Sequence, residues 1–198
     1  MEVFKQYPYV EKEELPLWLK NSKWIKQINR SSSQAGVIRG CHAQKGKFCQ
    51  GKLVEAVNEK IYDIITDARP DSKSFGTSTI VFLDPKKHNK LWVPRGFLHA
   101  FVVPLSNKTN AIFEYYCDNI YDKSSEVGVT PSTLLPKLIK NFKKLIGEGE
   151  NEYTDLFNTF SSDKPGIYSE KDQKAEDYVT FMNRIMDDYN KTKKVWYK

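Results

Sequence analysis

The sequence contains few cysteines and no long apolar run. Its three cysteines, Cys41, Cys49 and Cys117, are odd in number and lack Cys-x-x-Cys spacing, so neither a disulfide framework nor a zinc site is predicted. Reduced thiols of this kind are typical of a cytoplasmic protein. No apolar run approaches the roughly 20 residues that cross a bilayer, and the N-terminal stretch lacks the apolar core of a signal peptide. We therefore expect a soluble, unexported, cytoplasmic protein with no membrane partner.

The sequence also lacks a linker rich in proline, glycine or serine that would divide its 198 residues into comparable halves. Aromatic residues make up 13% and charged residues 28%, which is the composition of a globular chain and not of a disordered one. The net charge is +6, but lysines alternate with acidic residues in the C-terminal third, as is typical of solvated helix faces. The charge therefore does not indicate a nucleic-acid partner, and it neither requires nor excludes a nucleotide diphosphate.

Between residues 37 and 118 the sequence alternates short β-rich runs with turn residues. Strands are predicted at Lys52–Asn58, Ile61–Asp67, Ser78–Leu83, Lys90–Val93, Leu98–Val103 and Ala111–Cys117. The first two are joined by the short connection Asn58-Glu59-Lys60, which has the spacing of a hairpin. Strands at this regular spacing predict an antiparallel sandwich or barrel, with jelly-roll and cupin architectures among the options.

After Pro131 the apolar residues change to helical spacing. One stripe consists of Leu134, Leu135, Leu138, Ile139, Phe142 and Leu145, with Gly147 as a C-cap. A second stripe consists of Tyr178, Phe181, Met182, Ile185 and Met186. Both stripes are interpreted as core-facing. We predict an N-terminal arm at 1–28, a barrel at 29–130 and a helical C-terminal extension at 131–198 that packs on the barrel.

Several residues able to do chemistry fall within the strand region. Arg39 and His42 lie three residues apart, and the intervening Gly40 permits a bulge that would turn both side chains inward. Alone, a histidine near a strand is more often structural than catalytic. Lys52 opens a strand and His99 follows a Pro/Gly turn. The strand that ends at Cys117 carries tyrosines on both faces, Tyr115 with Cys117 on one and Tyr116 on the other.

These residues belong to motifs that run in order through roughly half of the chain. They are Gln27-x-Asn29, Ser31-x-Ser33, Gly36-Val37-Ile38-Arg39-Gly40-x-His42-x-Gln44, Gln50-Gly51-Lys52-Leu53-Val54, Asp63, Asp67-x-Arg69, Pro70-Asp71-Ser72-x-Ser74-Phe75-Gly76, Leu91-Trp92-x-Pro94-x-Gly96-Phe97-x-His99, Phe113-x-Tyr115, Asn119-x-Tyr121 and Ser169-Glu170-Lys171-Asp172-Gln173-Lys174-Ala175. In these motifs the sequence resembles the dTDP-4-dehydrorhamnose 3,5-epimerases, which are homodimers that act on nucleotide sugars. The resemblance implies a mainly β, cupin or jelly-roll antiparallel barrel with the helical C-terminal extension.

The resemblance also implies four catalytic residues. His42 matches the family's base, and a histidine suits that task because its unperturbed pKa is about 6.5. Asp172 matches the aspartate paired with the base, and Lys52 matches the residue suited to stabilising the oxygen of an enolate. Tyr115 matches the tyrosine that returns a proton from the opposite face, a role helped when a nearby cation lowers the phenol pKa.

The substrate contacts implied by the resemblance are five. Arg39 and His99 match positions near the sugar and diphosphate, where a guanidinium can bind phosphate oxygens bidentately. Tyr121 would line the sugar pocket, and Gln27 and Asn29 match contacts to the nucleotide. The implied activity is epimerisation at C3, C5 or both of a nucleotide-linked 4-keto-6-deoxy hexose, without a metal or other cofactor, by a homodimer.

The sequence departs from the family pattern in two places. The family's N-terminal signature, acidic-Arg-Gly-x-Phe-x-Glu, is absent, and 130–164 forms a predicted helical insert. A non-catalytic module that binds sugar nucleotides is therefore an alternative. A metal-dependent cupin oxygenase is a further alternative, but it needs two closely spaced histidines with a carboxylate, and His42-Ala43-Gln44 lacks the second histidine.

Overall fold

The structure, a computed structural model, describes residues 4–7, 24–87, 89–146, 153–161 and 166–198. Most of the predicted N-terminal arm, residues 1–3 and 8–23, lies outside the described residues, as does the predicted C-cap Gly147. The described part of the chain contains ten strands followed by four α-helices. The helices of the structure therefore come after its β region, in the order that the sequence predicts.

The strands are β1 (Phe4–Tyr7), β2 (Gln27–Ser33), β3 (Ile38–Gln44), β4 (Lys52–Ala56), β5 (Ile61–Asp67), β6 (Ser78–Leu83), β7 (Lys90–Val93), β8 (Phe97–Val102), β9 (Ala111–Cys117) and β10 (Glu126–Gly128). The helices are α1 (Pro131–Ile146), α2 (Thr154–Ser161), α3 (Glu170–Gln173) and α4 (Tyr178–Thr192). Four of the six strands with predicted bounds match the structure at both ends. β4 ends two residues earlier than predicted, and β8 begins and ends one residue earlier.

The strands form two five-stranded antiparallel sheets. The first sheet has the order β1-β2-β9-β4-β7, and the second has the order β10-β3-β8-β5-β6. Most neighbours within each sheet are distant in sequence, as in a jelly roll, where the chain crosses repeatedly between the two sheets. The prediction of a mainly β, jelly-roll architecture with a helical C-terminal extension is confirmed.

The predicted hairpin between β4 and β5 is wrong. β4 pairs with β7 and β9 in the first sheet, whereas β5 pairs with β6 and β8 in the second. Asn58 anchors the connection instead to the start of β9, donating to the carbonyl of Asn110 at 3.0 Å and accepting from the amide of Ile112 at 2.7 Å. A short loop between two β-rich runs has the same local sequence whether it turns back or crosses to the facing sheet.

Side chains along the strands of the second sheet alternate between its two faces, and an apolar core covers each face. One set, including Ile64 on β5 and Ala100 on β8, packs with Leu135 of α1 and Phe181 of α4 in one core. The other set points toward the first sheet, where a second core forms around residues such as Val54, Phe101 and Phe113. The predicted helix faces are therefore core-facing, as expected.

The fold depends on the apolar face of α1. Leu135 is fully buried, so we expect Leu135→Ala to lower the free energy of unfolding by about 2–5 kcal/mol through lost transfer energy and the cavity that remains. Urea denaturation checks this. Lys140→Ala, at an exposed position on the same helix, should change stability by no more than about 0.5 kcal/mol. Equal losses in the two variants would contradict the assigned face.

A buried carboxylate organises the loop after β5. Asp67 accepts hydrogen bonds from Arg69 Nε and Nη2 at 2.9 and 2.8 Å, from Ser72 Oγ at 2.7 Å and from Ser74 Oγ at 2.6 Å. Burial by itself would raise the pKa of Asp67, but these hydrogen bonds outweigh it and hold that pKa well below its usual range. Folding therefore favours the ionised form of this carboxylate.

Because of these hydrogen bonds, we expect the stability that Asp67 contributes to depend on pH in the acid range. Because the folded pKa of Asp67 lies below the unfolded value of about 3.9, its contribution is present above that pH and is lost as the pH falls further. Asp67→Asn should cost about 2 kcal/mol at pH 7, typical of hydrogen bonds to a charged group. Thermal unfolding from pH 7 to pH 3 should show the variant and the parent converging below about pH 4. Exposed Asp187→Asn is the control, and a pH-independent gap would contradict the assignment.

Candidate active site

A cavity of about 440 Å³ opens between the two sheets. All four predicted catalytic residues, His42, Lys52, Tyr115 and Asp172, line it. Of the predicted substrate contacts, the structure brings Gln27, Arg39, His99 and Tyr121 to the same cavity. The sequence motifs, which are separated by up to about three quarters of the chain, therefore meet at one place.

Asn29 is the exception, because it does not line the cavity. It lies two residues along β2 from Gln27, and its side chain accepts a hydrogen bond from Gln27 Nε2 at 2.7 Å. Its own amide points to Cys117 Sγ at 3.8 Å. Asn29 is therefore linked to the cavity through its hydrogen bond with Gln27, and its contact with the nucleotide stays a prediction.

A bulge in β3 turns His42 inward. Arg39 and His42 are three positions apart, an odd spacing that would place them on opposite faces of a regular strand. The pairing with β8 shifts register between these two residues, so both reach the cavity. Gly40 lies in the bulge with φ of +114°, and a Cβ there would lie 2.5 Å from the Cα of Ala100. The predicted bulge is confirmed, and Gly40 is required by both its φ and this close approach.

Asp172 approaches His42 from the helical extension. α3 begins with a cap in which the Asp172 amide donates to Ser169 Oγ at 3.1 Å, and this turn directs the carboxylate into the cavity. Asp172 Oδ1 lies 2.7 Å from His42 Nε2, within ion-pair distance although the ring N–H is not aligned for a hydrogen bond. Burial would raise the pKa of Asp172, but the proximity of His42, supported by Ser169 and Lys171, outweighs burial and lowers that pKa.

Tyr115 and Lys52 come from the facing sheet. They lie on the neighbouring strands β9 and β4, whereas His42 lies on β3 of the second sheet. The two sheets form opposite walls, so a ring bound between them would present one face to His42 and the other to Tyr115. Lys52 lines the cavity from β4, and its charge partly offsets the burial that raises the pKa of the Cys117 thiol on β9.

The phenol of Tyr115 differs from the expectation in one respect. Burial raises the pKa of Tyr115 well above its usual value near 10, and the opposing effect of the Arg39 charge does not compensate. A nearby cation, Arg39, does lower this pKa as expected, but removing the phenolate from water is the larger effect, so the net pKa is raised. The phenol stays protonated at neutral pH, which is the state that a proton donor needs.

A second histidine–carboxylate pair lies beside the first. His99 on β8 is paired in register with His42 on β3, and its Nε2 lies 2.6 Å from Asp63 Oδ1 on β5. Both side chains are buried, and the His99 ring packs edge-on against Tyr115 with centroids 5.8 Å apart. No role was predicted for Asp63 from the sequence. An aspartate in the middle of the apolar strand β5 nevertheless indicates a buried carboxylate that needs a partner.

The mouth of the cavity contains two further residues without a sequence-derived role, Glu126 and Lys171. Lys171 Nζ lies 2.5 Å from Glu126 Oε1, and Tyr121 donates its hydroxyl to Glu126 Oε2 at 3.0 Å. Burial, followed by the charge of Glu126, raises the pKa of Tyr121 to about 12. Lys171 adjoins Asp172 in sequence, which was a signal for its placement; Glu126 had none.

Among the residues that the structure describes, no group of three or more histidine, cysteine, aspartate or glutamate side chains is arranged to hold a metal ion. No helix in the part of the chain that the structure describes is both long and apolar enough to cross a bilayer. Cys41, Cys49 and Cys117 are buried and free.

The chain is similar to proteins of one known family. A family model described as dTDP-4-dehydrorhamnose 3,5-epimerase matches residues 2–178. The protein of that name from Escherichia coli (strain K12) is 40% identical over 103 residues, which cover 52% of this chain and 54% of that protein. The chain thus matches about half the length of its curated relatives.

Solved structures extend the match over more of the chain. The dTDP-4-dehydrorhamnose 3,5-epimerase of Elizabethkingia anophelis NUHP1 is 34% identical with a TM-score of 0.60, covering 79% of this chain and 73% of its own. A dTDP-6-deoxy-D-glucose-3,5-epimerase of Legionella pneumophila, solved with dTDP-4-keto-L-rhamnose, is 25% identical with a TM-score of 0.60 and covers 93% and 90% of the two chains. Since the family model spans most of the sequence, this chain belongs to the dTDP-4-dehydrorhamnose 3,5-epimerase family.

Proposed function

We propose that the protein epimerises C3, C5 or both of a nucleotide-linked 4-keto-6-deoxy hexose in rhamnose-type deoxysugar biosynthesis. The observation that carries the proposal is the contact of His42 with a buried carboxylate on one wall of a cavity whose opposite wall bears a protonated tyrosine and a lysine. Inversion of a carbon next to a ketone needs a base on one face of the ring, an acid on the other and a stabilised enolate oxygen.

His42 serves as the base. It removes the proton from a carbon adjacent to the C4 ketone, and the electron pair of that C–H bond forms the enolate. Asp172 stabilises the imidazolium that results, since its lowered pKa keeps it ionised and it lies 2.7 Å from the ring nitrogen. The proton then leaves His42 for solvent, and the imidazole returns to its neutral form.

Lys52 and Tyr115 complete the reaction from the other wall. The Lys52 ammonium stabilises the negative charge that develops on the C4 oxygen, so the scheme needs no metal ion. Tyr115 donates its phenolic proton to the opposite face of the same carbon, which inverts the centre, and the tyrosinate recovers a proton from solvent. The raised pKa of Tyr115 keeps the phenol protonated until the enolate forms, and the Arg39 charge offsets part of the burial effect that weakens the phenol as an acid.

The remaining residues of the cavity suit a nucleotide diphosphate sugar. Arg39 and His99 would bind the sugar and diphosphate, Tyr121 would line the sugar pocket, and Gln27 would reach the nucleotide with Asn29 behind it. The Legionella relative bound to dTDP-4-keto-L-rhamnose supports a thymidine nucleotide. Because the family's N-terminal signature is missing from this sequence, UDP and GDP sugars belong in the test.

The assembly and location are part of the proposal. We place the enzyme in the cytoplasm as a homodimer, in keeping with its family and with three free thiols. We keep the division into an arm at 1–28, a catalytic barrel at 29–130 and an extension at 131–198. The extension contributes Asp172 to the barrel's site, so it belongs to the catalytic unit.

The test is proton NMR of 4-keto-6-deoxy sugars linked to dTDP, UDP or GDP, incubated with the protein in heavy water. We expect deuterium at C3, C5 or both, with inversion at the exchanged carbons, and the preferred nucleotide should exchange fastest. Binding measured by calorimetry without any exchange would instead favour a non-catalytic module that recognises sugar nucleotides. Failure of every substrate to exchange would refute the proposed reaction.

A further inference from the structure

Three side chains from three separate segments meet at the mouth of the cavity. Glu126 comes from β10, Lys171 from α3 and Tyr121 from the loop between β9 and β10. The Glu126 carboxylate uses one oxygen for the Lys171 ammonium at 2.5 Å and the other for the Tyr121 hydroxyl at 3.0 Å. None of these contacts is part of the proton-transfer scheme above.

The ion pair joins α3, which carries Asp172, to β10, the strand next to the one that carries His42. Lys171 immediately precedes Asp172 on α3. β10 pairs with β3 so that Gly128 lies opposite His42, and a Cβ at Gly128 would lie 2.7 Å from the His42 ring. β10 therefore supports the His42 ring, and two residues away Glu126 holds the turn that carries Asp172.

α3 is only four residues long. Outside the ion pair it is held by the Ser169 cap, by backbone hydrogen bonds at Ile167 and Glu176 on either side, and by the packing of Tyr168 against the core. Glu126 is mostly buried, whereas Lys171 is 56% exposed. An exposed ion pair of this kind adds little to global stability, so its effect should appear in local geometry.

We propose that the Glu126–Lys171 ion pair is a positioning contact that keeps Asp172 on His42. This inference rests on the proposed function for its kinetic consequence and not for its structural one. Neither residue transfers a proton. The contact between Asp172 and His42 is short but not aligned, so a small displacement of α3 would separate the two atoms, and a misplaced catalytic group is costly.

The test compares Lys171→Met, Glu126→Gln and the double variant with the parent protein. In each variant kcat should fall roughly tenfold with KM little changed, because positioning and not ground-state binding is lost. The double variant should be no worse than either single one, since the two side chains act as a pair. Lys171→Arg, which can still reach the carboxylate, should restore most of the activity.

A spectroscopic measurement separates this inference from the proposed reaction. The nitrogen NMR signals of the His42 ring, assigned by loss in His42→Ala, should shift in Lys171→Met and Glu126→Gln toward their position in Asp172→Asn, even without substrate. Lys174→Met removes the exposed ion pair with Glu170 on the same helix and should leave the ring signals and kcat unchanged. Unchanged ring signals in both test variants, or a raised KM with unchanged kcat, would overturn the positioning role. A protein that shows the ring shifts but no exchange would refute only the reaction.

Discussion

His42→Ala is expected to abolish deuterium exchange into the sugar and to lower epimerisation by roughly 10³-fold to 10⁴-fold, the upper range for loss of a general base. The reason lies in the geometry: His42 is the residue in contact with the buried carboxylate of Asp172, and that carboxylate stabilises the protonated ring. Tyr115 on the facing wall cannot substitute, because burial raises its pKa and holds it in the neutral form. Proton NMR in heavy water measures exchange and product together.

The alanine variant must be shown to fold and to bind. His42 is partly exposed in the cavity, so thermal unfolding of the variant should remain close to that of the parent. The substrate or the nucleotide diphosphate should still bind, since Arg39, His99 and Gln27 are untouched. Exchange that persists in a folded, substrate-binding His42→Ala protein would assign the base to another residue.

Much of the fold follows from local sequence signals. Alternating β-rich runs and turn residues located the strands, and the three- and four-residue spacing of Leu134, Leu135 and Ile139 located the buried face of α1. The pairing of the strands did not follow. β4 and β5 are neighbours in sequence but lie in different sheets, and that choice depends on contacts with β7, β8 and β9 far along the chain.

Some features of the site could likewise be predicted from the sequence, and others could not. Motifs placed His42, Lys52 and Tyr115 in one cavity, and the short segment around Asp172 placed its carboxylate on His42. Spacing alone could not pair two residues that lie on a strand and on a distant one-turn helix. The pKa values of buried groups could not be predicted either, because they depend on the surroundings of each group. The raised pKa of Tyr115 reflects burial between two sheets, which no local pattern reports.

Three residues near the cavity were given no role for a related reason. Asp63 pairs with His99, and Glu126 pairs with Lys171, yet each partner comes from a different element of the chain. A charged residue in a strand is usually interpreted as solvent-facing. Only the register of β5 and β8, and of β10 and β3, turns these carboxylates toward the site.

Tyr115→Phe is expected to separate exchange from inversion. The base on the other wall remains, so deuterium should still enter at the carbon that His42 deprotonates, but it should return to the face from which the proton left. Inversion should fall by roughly 10²-fold to 10⁴-fold, because the proton donor on the opposite face is lost. The experiment follows deuterium content and stereochemistry in the same NMR spectra.

Tyr116→Phe provides a matched control for this experiment. Tyr116 is the next residue on β9, but its side chain packs on the other face of the sheet, and its hydroxyl donates to Glu114 at 2.6 Å. The same hydroxyl is thus removed from the same strand without touching the cavity, and both exchange and inversion should be kept. If Tyr115→Phe inverted its substrate as fast as Tyr116→Phe, the acid would have to come from another group or from water. Loss of exchange in Tyr115→Phe would instead mean that the phenol is needed to form the enolate, so that proton removal and proton return are not independent across the two walls.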